Sequence, residues 1–139
     1  MKKYLNVSDL YISVYKFAHI EDGLIDEYSA VMDKVFFDFD EDSWLKDLRT
    51  LHEWCMERNI LHRINCSGRG GHFFIFTRPQ VEHKADAIFN FVSHIESELN
   101  VAVDSKIKGD LRRIFRIPNT YNFKGRRFCV PLTEEVLYK

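Results

Sequence analysis

Asp38 and Asp40 flank Phe39 at the end of the apolar run Val35-Phe36-Phe37-Asp38-Phe39-Asp40. In an extended chain, residues two apart share a face, so the run predicts both carboxylates on one side and Phe37 and Phe39 on the other. Two like charges held so close need a cation between them. Magnesium and manganese suit that place, because they prefer hard oxygen ligands and keep positions open for phosphate oxygens. Taken alone, such a pair also describes an exposed strand end or a helix cap.

A second group is Ser67-Gly68-Arg69-Gly70-Gly71-His72. Three glycines let a turn approach a ligand closely, while a hydroxyl, a guanidinium and an imidazole face it. Backbone N–H groups in such turns form anion-binding concavities, and arginine offers forked donation to phosphate. The run is not a P-loop, since the Gly-Lys-Ser/Thr ending is missing. Its plainer reading is a flexible hairpin tip with a surface arginine.

The third group starts at Val103-Asp104 and runs through Asp110, Arg112, Arg113, Arg116, Pro118, Asn122 and Lys124. It supplies a carboxylate and then several cations. Ile107, Leu111, Ile114 and Phe115 also fit one face of a short amphipathic helix whose arginines are merely solvated. Together the three groups hold the parts that two-metal phosphoryl transfer requires, namely metal-binding carboxylates, a triphosphate turn and cations. That chemistry depends on positioning and charge neutralisation, so it needs no Ser/His/Asp or Cys/His nucleophile.

The elements that must position these groups follow from hydrophobic spacing. Residues 11–17 are rich in aromatic and β-branched types and predict a strand, followed by a loop at Gly23 and a short helix over 24–32. A buried strand covers 35–40. Trp44, Leu45, Leu48, Leu51, Trp54 and Cys55 recur at helical spacing and predict a helix over 42–58, with Asp42 or Ser43 as its cap. Residues 62–66 and 72–77 predict two strands joined as a hairpin by the glycine turn, and Ile88, Phe91, Val92, Ile95 and Leu99 mark a helix over 82–99. A last strand is expected over 127–132, with Thr133 capping a final turn. The order is an α+β series, expected to form a compact mixed sheet with helices on one side.

Bulk properties agree with one domain over residues 1–139, since a chain of 139 residues fits a single core. Its 45% hydrophobic and 14% aromatic content argues against disorder. The formal net charge is −1, so the whole molecule shows no basic bias toward nucleic acid. The charge is instead polarised along the sequence, with acids crowded over 21–47 and arginines and lysines over 112–127. Cys55, Cys66 and Cys129 show no CxxC spacing, which fits neither a zinc knuckle nor a disulfide framework and suits a reducing cytoplasm. No apolar run approaches the roughly 20 residues that span a bilayer, and no signal-type stretch is apparent.

These motifs, in this order, resemble those of the archaeo-eukaryotic primase superfamily, comprising the small catalytic primase subunits and their primase-polymerase relatives. The resemblance covers residues 33–132. It matches an Asp-x-Asp strand at 35–40, a Ser-Gly-Arg-rich turn ending in His at 67–72, and a hydrophobic-Asp motif at Val103-Asp104. The last continues into Asp-x-x-Arg-x-x-Arg-x-Pro, here Asp110, Arg113, Arg116 and Pro118. The turn is one residue shorter than the common version. No zinc-binding Cys/His cluster is visible, so no structural zinc is expected, whereas many small primase subunits carry one.

The resemblance implies a compact core with a modified RNA-recognition-like sheet beside a small α/β unit. It implies that Asp38, Asp40 and Asp104 are catalytic and hold two Mg2+ or Mn2+ ions, with Asp110 competing for the third carboxylate position. Ser67, Arg69 and His72 would bind the incoming nucleoside triphosphate, with further phosphate or sugar contacts from Arg116, Asn122 and Lys124. Arg112, Arg113, Arg126 and Arg127 are left to contact nucleic acid. The implied activity is that of a DNA primase or primase-polymerase, a template-dependent nucleotidyltransferase releasing pyrophosphate. Its implied partners are single-stranded DNA template and primer, a helical accessory domain or large-subunit-like chain, and a helicase, with no membrane. Two other readings stay open. One is a non-catalytic single-strand-binding module, for which Tyr121 and Phe123 among cations would serve as stacking groups. The other is a metal-dependent nuclease, which has no need of a triphosphate turn.

Overall fold

The computed structural model describes residues 8–82 and 84–139. Its centre is a five-stranded sheet. β1 is Tyr11–Ser13, β2 Lys16–Phe17, β3 Ile20–Glu21, β4 Leu24–Ile25, β5 Ala30–Phe39, β6 His62–Cys66, β7 Gly71–Gln80, β8 Ile114–Arg116, β9 Tyr121–Asn122, β10 Arg127–Phe128 and β11 Val130–Pro131. Helices α1 (Trp44–Glu57), α2 (Lys84–Leu99) and α3 (Glu134–Leu137) complete the order. The main sheet runs β11-β6-β7-β5-β2, with every pairing antiparallel. Three two-strand ribbons, β1-β8, β9-β10 and β3-β4, stand beside it.

Helices α1 and α2 lie on one face of this sheet. Leu48, Leu51 and Cys55 recur at three- and four-residue intervals on α1, and Ile88, Val92 and Ile95 do so on α2, which gives each helix one buried stripe. They meet Phe37, Phe39 and Phe73, all fully buried, with Phe37 and Phe91 ring centroids 6.3 Å apart. Burying one such side chain contributes about 1.5–3 kcal/mol, so these phenylalanines dominate the anchoring of sheet to helices. The opposite face carries Phe36 and Phe74, and the β1-β8 ribbon lays Phe115 across them at 6.0 and 4.9 Å. The sheet is thus clamped on both sides around the middle of β5 and β7.

The structure departs from expectation where the chain changes partners. The strand expected over 11–17 is two strands, because β1 pairs with β8 while β2 joins the main sheet beside β5. Val14 and Tyr15 make the transfer, both buried, with the Val14 N–H donating to the Arg113 carbonyl at 2.9 Å. The helix expected over 24–32 is absent: β4 occupies its start, a 3-10 turn at Glu27–Ser29 capped by Asp26 follows, and Ala30 already pairs with Phe17. The Gly23 loop is a tight hairpin turn in which Asp22 and Gly23 take φ of 50° and 74°, the left-handed geometry that an Asp-Gly pair favours.

The amphipathic-helix reading of 107–115 does not hold either. A 3-10 turn at Ser105–Ile107 is followed by β8, paired with β1. The strand expected over 127–132 is likewise split at buried Cys129, since β10 pairs with β9 and β11 with β6. Thr133 caps α3 as expected, its side chain accepting from the Val136 N–H. Ser43 precedes α1, but its hydroxyl donates to the Asp47 carboxylate at 2.7 Å rather than capping the backbone.

Candidate active site

Sheet register builds the first row of the site. Asp38 on β5 stands directly opposite His72 on β7, and His72 stands opposite Asn65 on β6. Directly opposed residues project to the same face. Their side chains therefore line up on the face away from the helices, with His72 Nε2 3.8 Å from Asp38 Oδ1. Asp40 departs from the expected arrangement. β5 ends at Phe39, so Asp40 lies beyond the strand and is exposed.

Asp104 is brought in by the segment after α2. Val101 and Val103 are buried, and the Asp104 N–H donates to the Asp38 carbonyl at 2.9 Å, laying one backbone against the other. Its Oδ1 accepts from the Lys106 N–H at 3.0 Å and caps the 3-10 turn, which leaves Oδ2 facing Asp38. A single guanidinium nitrogen, Arg113 Nη2, bridges the pair, at 2.8 Å from Asp38 Oδ2 and 3.2 Å from Asp104 Oδ2. Asp110 makes a local turn instead, accepting from the Arg112 N–H at 3.0 Å. Of the two candidates for the third carboxylate, Asp104 is the one placed beside Asp38.

Burial dominates the electrostatics. It pushes the Asp38 carboxyl up to about 6, opposed by the Arg113 hydrogen bond and charge and reinforced by repulsion from Asp40 and Asp104. The His72 imidazole is driven down to about 4, first by burial and then by the charges of Arg113 and Arg116. At neutral pH the His72 and Asp38 contact is therefore a neutral ring beside a carboxylate, not an ion pair. His72 Nδ1 and Arg113 Nε are both buried without a hydrogen-bond partner.

The glycine turn closes on itself beside the end of β5. The Ser67 N–H donates to the Gly70 carbonyl at 2.9 Å, and the Gly70 N–H donates to Ser67 Oγ at 3.2 Å. Gly70 has no room for a side chain, since a Cβ there would lie 2.1 Å from the Phe39 carbonyl oxygen. Gly68 takes φ of 95°. The Ser67 hydroxyl proton remains free to donate. Arg69 is exposed, with its stem against Gly125.

The other expected contacts are placed as follows. Buried Asn122 staples two turns, donating to the Ser67 carbonyl at 2.8 Å and accepting from the Gly125 N–H at 2.9 Å. Arg116 is also buried, and its guanidinium donates to Asp9 Oδ1 at 2.6 Å, the Tyr121 carbonyl at 3.2 Å and the Tyr11 hydroxyl at 2.9 Å. Arg112 is exposed and 3.5 Å from Glu27. Lys124, Arg126 and Arg127 are exposed on and around the β9-β10 hairpin, where Tyr121 packs edge-on against Phe123 and Phe128. Sequence reasoning missed Asp9 as the partner of Arg116, and it assigned Arg113 to nucleic acid although its guanidinium lies between two carboxylates. The alternation of acid and base from Asp104 to Arg113 carried some signal for the second, but nothing around Asp9 did for the first.

Asp38 and Asp104 suit a hard divalent cation chemically. Their oxygens already converge on one positive nitrogen, and the burial that raises Asp38 is the kind of strain that a bound cation relieves. Among the described residues no set of three or more His, Cys, Asp or Glu side chains gathers closely enough to hold a metal, with Asp40 standing outside the pair. The residues present thus fit a site of two carboxylates that Asp40 could complete by turning inward.

No protein-family model and no curated protein matches the sequence. Among solved structures, the chain is similar to the polymerase domain of Mycobacterium tuberculosis ligase D in complex with DNA, with a TM-score of 0.65 and 16% identity. The match covers 94% of this chain and 54% of that one, so the chain spans about half the length of the solved domain. The fold is accordingly a compact α+β core of primase-polymerase type. Among the described residues no helix is long and apolar enough to cross a membrane.

Proposed function

We propose that this chain is a template-dependent nucleotidyltransferase of the primase or primase-polymerase kind, in which a primer or nucleotide hydroxyl attacks an α-phosphate and pyrophosphate leaves. The observation that carries the proposal is the meeting of Asp38 and Asp104, from distant parts of the chain, beside His72 on a polymerase-like core. Asp38 and Asp104, joined by Asp40, would hold Mg2+ or Mn2+, which when bound supplies charge neutralisation at the reacting phosphate.

The chain's own residues take the remaining roles. The Ser67 hydroxyl and the N–H groups of Gly68 and Arg69, which donate to nothing else among the described residues, offer anion-binding dipoles to the γ and β phosphates. Neutral His72 donates a hydrogen bond to a phosphate oxygen without adding charge that would compete for Asp38. Arg113 holds the carboxylates in place and is free to swing toward phosphate once another cation takes its position. Lys124, Arg126 and Arg127 track a single-stranded template, in line with the DNA-bound state of the similar polymerase domain. A helical accessory domain or a partner chain would help initiation, which must hold two nucleotides at once.

The test is primer extension on single-stranded DNA with Mg2+ or Mn2+, alongside Asp38→Asn and Asp104→Asn variants. Extension by the wild type alone supports the reading, and extension by all three chains overturns it. One observation favours a second reading. Arg113 already offsets one of the pair's two negative charges, which lessens its repulsion of a strand's phosphates, as a module that binds single strands without catalysis would need. That reading requires tight strand binding with no extension in either metal.

A further inference from the structure

A cavity of about 610 Å³ opens along the sheet face that carries Asp38 and His72. Lys34, Phe74 and Phe76 in its wall share the parity of that face, and the cavity wraps around the edge of β6, where β11 pairs only with Asn65 and Cys66. Phe74 and Phe115 form an edge-to-face aromatic corner, with ring centroids 4.9 Å apart, flanked by Pro118 and Pro131. Asn65 also lines the cavity. It is only 7% exposed, and among the described residues its side-chain amide makes no hydrogen bond. Its polar atoms are not among those sealed from solvent, so the amide's donor and acceptor open into the cavity, where a ligand can take them up.

The chemistry of that ligand follows from the wall. A primary amide presents a donor and an acceptor side by side, the pattern that pairs with the edge of a nucleobase, while aromatic rings and prolines offer flat apolar surface for its faces. Location fixes the orientation. Asn65 is one strand spacing, about 4.8 Å, from His72, and two residues, about 7 Å, from Ser67 at the start of the glycine turn. A base held at Asn65 would direct its phosphates toward that turn and its α-phosphate toward Asp38.

We propose that this cavity is the nucleobase subsite of a bound nucleoside triphosphate, with Asn65 hydrogen-bonding the edge of the base. The proposal rests on the nucleotidyltransferase reading for the identity of the ligand, but it is tested by binding alone. The probes are adenosine, guanosine, cytidine and thymidine, the four corresponding triphosphates, and inorganic tripolyphosphate, titrated into wild type and Asn65→Ala.

The expected result is at least a tenfold loss of triphosphate affinity in Asn65→Ala, loss of nucleoside binding, unchanged tripolyphosphate binding and an unchanged melting temperature. In the wild type, nucleosides should shift the Asn65 side-chain amide resonances, a readout that does not depend on any variant folding. Equal triphosphate affinity in the two chains, or no shift of the Asn65 amide at saturating nucleotide, overturns the subsite. A chain that binds nucleosides through Asn65 yet never extends a primer keeps the subsite and loses the polymerase reading. A chain that extends primers while Asn65→Ala binds nucleotide normally does the reverse.

Discussion

Asp38 Oδ2 and Arg113 Nη2 meet at 2.8 Å across 75 residues of sequence, and the same nitrogen reaches Asp104 at 3.2 Å. One cation therefore holds together two acids that would otherwise repel. Replacing it by an uncharged group, Arg113→Gln, should destabilise the fold by about 1.5–3 kcal/mol, the range for a hydrogen bond to a charged group. Millimolar Mg2+ or Mn2+ should restore more of the melting temperature in this variant than it adds to the wild type, because the ion takes the vacated place. Equal metal responses would mean that the pair does not bind the ion.

Acid titration should separate two neighbours with opposite slopes. Asp38 is raised from 3.8 to about 6, so the unfolded chain binds fewer protons there, and its contribution to stability falls as pH rises between about 4 and 6. His72 is lowered from 6.5 to about 4, so the unfolded chain binds more protons, and its contribution rises with pH between about 4 and 6.5. The wild type should show a shallow profile over this range. His72→Gln should lose stability with rising pH there, and Asp38→Asn should gain it, both read from urea midpoints at fixed ionic strength.

Gly70→Ala should cost about 1–3 kcal/mol, the usual penalty for overfilling a packed site, since its Cβ would be driven into the Phe39 carbonyl. Gly23→Ala meets nothing within 4 Å and carries only the strain of a left-handed φ, at about 1 kcal/mol. Thermal melts of the two variants check the order, and the Gly70 variant should in addition weaken tripolyphosphate binding because the turn is displaced.

Arg116 was expected to contact phosphate, but its three hydrogen bonds tie Asp9, Tyr11 and the Tyr121 carbonyl to β8, inside the third motif. Arg116→Ala should lower stability by about 1.5–3 kcal/mol, and Asp9→Asn should account for much of that loss in a double-mutant cycle. A variant that melts like wild type but needs more nucleotide would return Arg116 to a ligand-binding role.

The apolar spacing of α1 and α2, the β6-β7 hairpin and the burial of Phe37 and Phe39 were legible in the sequence because each is a local periodic signal. So were Asp38, His72 and Asp104, which stand in motifs whose order resembles that of a known family, and the structure gathers those three. The breaks at Val14 and Cys129 were not legible. Both are points where a continuous apolar run changes its pairing partner, and partner choice depends on distant residues. Asp40 was misplaced for a related reason: alternation holds only while the strand lasts, and β5 stops one residue before it. The bridging role of Arg113 and the pairing of Arg116 with Asp9 are interactions across 75 and 107 residues that no local pattern announces.

The β9-β10 hairpin should carry a measurable share of strand binding. Changing Lys124, Arg126 and Arg127 to alanine should reduce the slope of log affinity against log salt by about 0.7 for each phosphate of a single strand that is no longer neutralised. Phe123→Ala should weaken binding with no change in slope, because stacking releases no counterions. Fluorescence anisotropy with a labelled oligothymidine at three salt concentrations distinguishes the two effects.

The long reach of the Arg113 bridge bears on how the protein is made. As the chain leaves the ribosome, β5, β6 and β7 can pair once about residue 80 has emerged, which sets Asp38 in its row with His72. Its cation follows more than thirty residues later. At synthesis rates of about 5–20 residues per second, the half-built sheet spends seconds with Asp38 open to water, because Asp104 and Phe115, which cover that face, are made together with Arg113. Acid and cation are therefore buried in one step, so the raised titration of Asp38 should be missing from a fragment ending at residue 100 and present in the whole chain.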